Sequence, residues 1–386
     1  MEPMVFNSSV TPSLGVEVEL ALVDNQSMAL RSAMEDVIAN LPPQLNETIK
    51  PELMQCYIEI NSGICRNVAE AEADLRTKLE SLERVADQQG LRLLWSATHP
   101  FSSWRDQTVT DNDRYRGLIK MLQDTARQLI TFGLHVHVGV DSGEKAVMLC
   151  DRILRHLPTL LALSVNSPFW DGRNTGLASW RSKQMDSLPT AGLPPLMRNW
   201  SEYVWLINHL IETGYIESIR EIWWDVRPHH NFGTLEIRIC DIPGTLDDTM
   251  SLVALTHCLV KALSDNIDEG AYQHDCHPMM VRQNKWRAAR FGLDATLVDS
   301  RTHIVKPARQ VIRELVERLR PAAEQLECRP YLERVLDVVE KPNWSRRQLD
   351  ILDQTGDPAE VVRWMTEQSR LTPSGPEGLK SPMDGD

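Results

Sequence analysis

The stretch Leu14-Gly-Val-Glu-Val-Glu-Leu-Ala-Leu-Val23 alternates strictly. Leu14, Val16, Val18 and Leu20 fall on one side, and Gly15, Glu17, Glu19 and Ala21 on the other. Period two is the signature of a β-strand with one face packed and one face polar. Glu17 and Glu19 then project from the same face, roughly 7 Å apart along the strand.

The same pattern recurs downstream. Residues 53–61 place Met54, Cys56, Ile58 and Ile60 opposite Gln55, Tyr57, Glu59 and Asn61. Residues 133–140 place Leu134, Val136, Val138 and Val140 opposite Gly133, His135, His137 and Gly139. Residues 234–240 place Leu235, Ile237 and Ile239 opposite Thr234, Glu236, Arg238 and Cys240. A further strand is expected at 91–97. Across the four alternating strands the polar face offers Glu17, Glu19, Glu59, His135, His137, Glu236 and Arg238, and no lysine. A solvated antiparallel face would mix Lys, Thr, Ser and Gln with Glu. Crowded carboxylates repel unless a cation sits among them, so this face reads as a metal site. Donors rich in carboxylate oxygen favour magnesium, with manganese as second choice, over zinc. The His135-Val-His137 pair alone would suit zinc, but no third nitrogen or sulfur ligand stands at a matching spacing.

Between the strands, three- and four-residue apolar spacings predict helices at 68–89, 114–129, 145–163 and 200–213. Beyond residue 246 the pattern is helical, over 247–265, 279–291, 307–319, 322–340 and 346–370. Strands early and helices late predict one α+β domain over 1–371, with a disordered tail over 372–386. Residues 166–199 show no period and carry Trp170, Arg173, Trp180, Arg181 and Lys183. Aromatics and cations in a long loop predict an ordered lid over substrate or phosphate.

The chain has 386 residues, 42% hydrophobic and 25% charged, an ordinary globular composition. No apolar run approaches the ~18 residues of a membrane span. The start lacks a basic segment leading into an apolar core, so a cytoplasmic protein is expected. A net charge of −13 argues against a nucleic-acid partner. Cys56, Cys65, Cys150, Cys240, Cys258, Cys276 and Cys328 are scattered without a Cys-x-x-Cys pair, as buried thiols in a reducing compartment would be. His274-Asp-Cys-His277 resembles a metal cluster but has no partner motif. His229-His230 precede the Glu236 strand and fit a substrate contact or a plain loop role equally well. Neither a Walker loop nor a dinucleotide fingerprint occurs, so a nucleotide has to be held through metals and cationic side chains.

Five motifs in fixed order resemble the glutamate–cysteine ligase type 2 family, with the YbdK-like carboxylate–amine ligases as the most similar branch. They are Leu14-Gly-Val-Glu-Val-Glu-Leu, Thr98-His-Pro-Phe, Phe132-Gly-Leu-His-Val-His-Val-Gly, Trp224-Asp-Val-Arg-Pro and Phe232-Gly-Thr-Leu-Glu-Ile-Arg-Ile-Cys-Asp. The resemblance implies a glutamine-synthetase-like fold, a curved antiparallel sheet forming a funnel with helices outside. It implies ATP-dependent amide formation through an acyl phosphate, with glutamate and cysteine as the substrates giving γ-glutamylcysteine, and a homodimer or larger homo-oligomer. It implies metal binding by Glu17, Glu19, Glu52, Glu59, His135 and Glu236, and catalytic roles for Arg238 and Glu59. His135, His137, Arg227 and Arg238 are the expected nucleotide contacts. Arg173, Arg181 and Arg227 are the candidates for the substrate carboxylate, with Arg181 the choice because a corresponding arginine appears in the relatives' loop. Two other readings stay open from the residues alone. One is a metal-dependent amide hydrolase on the same face, and the other a nucleotide-binding regulator without turnover.

Overall fold

The computed structural model describes residues 4–271, 276–299 and 302–372. The tail expected to be disordered lies outside them except for Thr372, and so do His274 and Asp275 of the His/Cys cluster. His277 of that cluster caps a helix, its Nδ1 accepting from Met279 N at 3.1 Å.

Nine strands precede the long helical part of the chain. They are β1 (Leu14–Asp24), β2 (Ile49–Pro51), β3 (Tyr57–Asn61), β4 (Leu91–Leu94), β5 (Gly133–Gly139), β6 (Phe169–Trp170), β7 (Arg173–Asn174), β8 (Val226–His229) and β9 (Thr234–Asp241). Seven form one antiparallel sheet in the order β2-β3-β1-β5-β9-β8, with β4 pairing the end of β1. The helices before β8 are α1 (Met34–Ala39), α2 (Val68–Gln88), α3 (Asp113–Leu122), α4 (Asp124–Arg127), α5 (Gly143–Ile153), α6 (Leu157–Ser164), α7 (Trp180–Met185) and α8 (Trp200–Glu212). Those after β9 are α9 (Leu246–Asp268), α10 (Pro278–Phe291), α11 (Ala308–Gln325), α12 (Arg329–Glu340), α13 (Trp344–Thr355) and α14 (Pro358–Gln368). This is an α+β architecture with an antiparallel sheet. Among the described residues no helix is long and apolar enough to cross a membrane.

The period-two pattern is realised as packing. Leu14, Val16, Val18 and Leu20 are buried to within 1%. They join the cores of β3, β5 and β9 with α2, α5, α6 and α9 in one apolar cluster. Glu17 and Glu19 remain partly open on the other face. Cys56, Cys65, Cys150, Cys240, Cys258 and Cys328 are buried, and Cys258 meets Cys328 at 3.4 Å.

Several elements depart from the periodicity. The strand expected over 53–61 begins only at Tyr57. Residues before it turn, because Gln55 N and Thr110 N bond out to Thr108 O and Leu53 O. The strand expected over 91–97 ends at Leu94, where Asn166 Nδ2 takes the Trp95 carbonyl. The helix predicted over 114–129 breaks at Gln123, which has φ +51. The one predicted over 145–163 passes through a 3-10 turn at Leu154–His156. Pro321 sits inside α11, and the break before α12 falls instead near Glu327, with φ +53. The helix predicted over 346–370 divides at Gly356, whose φ of +68 suits a residue without Cβ.

Candidate active site

The polar face is laid down row by row by strand register. In one row Lys50 opposes Glu59, and Glu59 opposes Glu19. In the next, Asn61 opposes Glu17, and Glu17 opposes His135. In the third, Gly15 opposes His137, His137 opposes Glu236, and Glu236 opposes Arg227. Directly opposed side chains on one face lie close enough to interact, so register alone gathers the ionisable set. The rows line a cavity of about 440 Å³.

Two groups of potential ligands emerge. Glu17, His135 and Glu236 form one, and Glu19, Glu52 and Glu59 the other, with the ligand atoms in each group all within 4.8 Å of one another. Glu52, immediately after β2, returns to the face because the turn before β3 brings it round. Its Oε2 accepts from Leu53 N at 3.1 Å and from Tyr57 Oη at 3.4 Å. Five carboxylates with one imidazole are the donor set of a hard divalent cation, and the fit to magnesium or manganese is good.

The electrostatics differ between the two groups. Burial opposes the charge of Glu17, but His137 and hydrogen bonds from both histidines outweigh it and hold the carboxyl well below its usual range. His135 Nδ1 lies 3.1 Å from Glu17 Oε2, and His137 Nε2 lies 3.3 Å from Glu17 Oε1. Glu236 is likewise held low, the charges of Arg227 and Arg238 overcoming burial. Burial and then Arg238 depress His135. For His137 burial is overcome by Glu236 and Glu17, and its pKa rises. In the all-carboxylate group burial and like charges act together. Glu52 is pushed up to about 7 by burial and then Glu19. Glu59 is pushed well above its usual range by burial, then Glu17 and Glu52. A fold that crowds three carboxylates this way is set up to receive positive charge.

The arginines are distributed differently from the sequence-based expectation. Arg238 sits against the first group, donating to Glu236 and lying 3.5 Å from His135 Nδ1. Arg227 has its guanidinium engaged by the protein. Nε donates to Glu236 Oε2 at 2.6 Å, and Nη1 to the carbonyls of Ile219 at 2.9 Å and Ile222 at 2.6 Å. It holds Glu236 while lining the cavity. Arg181 reaches the cavity wall but donates to the carbonyls of Ile239 and Arg238, both at 3.3 Å. Arg173 is exposed in the β6–β7 ribbon, away from the cavity lining. The anticipated lid of residues 166–199 contributes Arg181 and Met185 to the cavity. Its first half is tied down, with Asn166 N, Ser167 Oγ and Ser179 Oγ all donating to the buried Asp241.

Other residues also line the cavity. Lys50, Arg220 and Trp223 lie on short or irregular elements, and Arg114 and Tyr115 lie in the first turn of α3. Strand β8 is only four residues long, with Val226 and Pro228 alternating with the cavity-lining Arg227 and His229. His229 lines the cavity and stacks on Phe232, with ring centroids 4.1 Å apart.

Residues 13–364 match the family model described as Glutamate-cysteine ligase family 2. The "Putative glutamate–cysteine ligase 2" of Gloeobacter violaceus is 42% identical over 359 residues, covering 92% of this chain and 96% of its own length. The protein of the same name from Solibacter usitatus is 39% identical over 369 residues, covering 95% of this chain and 96% of its own. Among solved structures, a glutamate–cysteine ligase from Francisella tularensis in complex with AMP superposes with a TM-score of 0.70 at 12% identity, covering 94% of this chain and 90% of that one. A bifunctional glutathione synthetase from Pasteurella multocida gives a TM-score of 0.66 at 14% identity, covering 92% of this chain and 52% of that one. These two bear on the fold alone. The sequence matches show that the chain belongs to glutamate–cysteine ligase family 2, a family of ATP-dependent ligases.

Proposed function

We propose that this protein joins a carboxylate to an amine through an acyl phosphate, with glutamate as the acid and cysteine as the amine, on a glutamine-synthetase-like funnel. The observation that carries the reading is the pairing of two ligand groups in one cavity, with Arg238 held against the Glu17/His135/Glu236 group. Glu17, His135 and Glu236 would hold one divalent ion, and Glu19, Glu52 and Glu59 another. Ions bound there would supply neutralisation of the ATP phosphates and polarisation of the acceptor carboxylate.

The chain's own residues account for the rest. Arg238, already oriented by Glu236, stabilises the negative charge that spreads over the phosphoryl group in transfer. Arg227 keeps Glu236 ionised and correctly aimed. The carboxyl oxygen of the acid attacks the γ-phosphorus and ADP leaves. The amine then attacks the acyl carbon, losing a proton as inorganic phosphate departs. Placement of the three reactants together in a walled cavity lowers the entropic part of the barrier.

The test is ADP release measured with magnesium or manganese over paired acids and amines. Release should need the metal and rise when acid and amine are both present. Glu17→Gln and Glu236→Gln should each abolish it. Release that survives either substitution would overturn the site assignment.

A further inference from the structure

Six cationic side chains line the cavity, and they divide cleanly by partner. Arg181, Arg227 and Arg238 are bound by main-chain carbonyls or by Glu236. Lys50, Arg114 and Arg220 make no ion pair and no side-chain hydrogen bond with the described residues. Arg114 has only a ring contact, its guanidinium carbon 5.6 Å from the centroid of Tyr115.

These three converge from separate elements. Lys50 is on β2, opposite Glu59. Arg114 is in the first turn of α3, a helix with no buried residue, and Tyr115 and Leu118 on the same helix also face the cavity. Arg220 lies in the short 3-10 turn Ile219–Glu221 that precedes β8. Tyr115 sits among them. Its hydroxyl donates to Pro51 O at 3.2 Å, next to Lys50, and both Arg114 and Arg220 act on its charge. Arg114 also acts on Glu52. Lys50 and Arg114 thus belong to the Glu19/Glu52/Glu59 end of the cavity, and Arg220 approaches Tyr115 from the β8 side. Apolar side chains of Leu118, Leu129, Met185 and Trp223 share this lining.

Cations without protein partners beside an apolar wall suit an anion carried on a short aliphatic chain. Resting on the ligase reading above, we propose that Arg114 and Arg220, with Lys50, hold a substrate carboxylate that is not consumed in the reaction. The protein then selects amino-acid-like substrates over simple acids and amines. That carboxylate comes either from the acid, as the second carboxylate of a dicarboxylic amino acid, or from the amine substrate. The role assigned to Arg181 and Arg173 by sequence passes to residues that periodicity does not single out.

The experiment compares kinetics on matched pairs in the wild type, Arg114→Ala, Arg220→Ala and Arg220→Lys. L-Glutamate is set against its α-amide to test the acid, and L-cysteine against cysteamine to test the amine. The carboxylate-bearing member of one pair should be preferred roughly 10- to 100-fold in kcat/KM by the wild type. Each alanine variant should lose that preference through a raised KM for that member, with the KM for ATP unchanged, and Arg220→Lys should recover part of it. A raised KM for ATP instead would assign the cations to phosphate and overturn the proposal. So would equal use of both members by the wild type. Calorimetric binding of L-glutamate, its α-amide and L-cysteine separates the two levels. If no pair supports ADP release, the ligase reading fails. The carboxylate site then stands if L-glutamate or L-cysteine still binds the wild type more tightly than the alanine variants, and falls if it does not.

Discussion

Arg227 and Glu236 face each other across β8 and β9, and Arg227 Nε donates to Glu236 Oε2 at 2.6 Å. Both are buried, Glu236 to 1% exposure and Arg227 to 5%. A buried ion pair of this kind adds little over an apolar pair, yet removing one partner strands the other. Arg227→Leu should therefore destabilise the protein by about 3 kcal/mol, measured by urea denaturation. Arg227→Lys should recover only part of this, because an ammonium cannot serve Glu236 and the Ile219 and Ile222 carbonyls in the same planar geometry. A lysine variant as stable as wild type would show that the guanidinium geometry is dispensable.

The carboxylate group makes the opposite prediction. Burial, then Glu17 and Glu52, raises the pKa of Glu59 above its ordinary 4.5. An acid whose folded pKa is raised costs stability once pH exceeds the unfolded value, so the metal-free protein should lose stability as pH climbs above 4.5. Glu59→Gln should stabilise the protein in EDTA at neutral pH by about 1–2 kcal/mol. Magnesium should raise the Tm of the wild type more than that of Glu59→Gln, which keeps only the Glu17/His135/Glu236 group intact. Identical magnesium responses would remove Glu59 from the metal site.

His99, in the Thr98-His-Pro-Phe motif, is 1% exposed. Nε2 donates to Met28 O at 2.9 Å, while Nδ1 accepts from Ser102 N at 2.9 Å and Phe101 N at 3.2 Å. Protonation at Nδ1 would break both bonds, and burial holds the pKa down at about 4, against 6.5 in the open chain. The folded state binds fewer protons than the unfolded in that interval. The stability tied to neutral His99 is complete above pH 6.5 and is lost as pH falls toward 4, amounting to about 3 kcal/mol. His99→Asn should flatten that part of the stability–pH curve. An unchanged curve would place the acid sensitivity elsewhere.

Gly133 begins β5 on the same face as His135, and its N–H donates to Glu19 Oε2 at 2.5 Å. A Cβ there would stand 2.2 Å from Arg181 Nη2. Gly133→Ala should therefore push Arg181 off the Arg238 and Ile239 carbonyls and cost about 1–3 kcal/mol in denaturant titration. A variant of wild-type stability would mean that Arg181 moves aside freely.

Alternation along the chain determined the strands β1, β5 and β9 and the shared face of Glu17 and Glu19, His135 and His137, and Glu236 and Arg238. Period two is a local property, imposed by backbone geometry wherever one face packs, so it can be read without knowing any partner. The turn that returns Glu52 beside Glu19 and Glu59 was not legible as alternation, because it depends on bonds from Gln55 and Thr110 to other segments. Strand β8 does alternate, Val226 and Pro228 against Arg227 and His229, but over only four residues and with a proline that disfavours a strand assignment. The arginines show the limit most clearly. Arg181, Arg227 and Arg220 are alike in sequence, each a cation near aromatic residues. The first two are held by carbonyls of Ile239 and Ile219, while Arg220 is not so held. Which cation is free to meet a ligand depends on which distant carbonyls and carboxylates fold against it, and only the tertiary structure decides that.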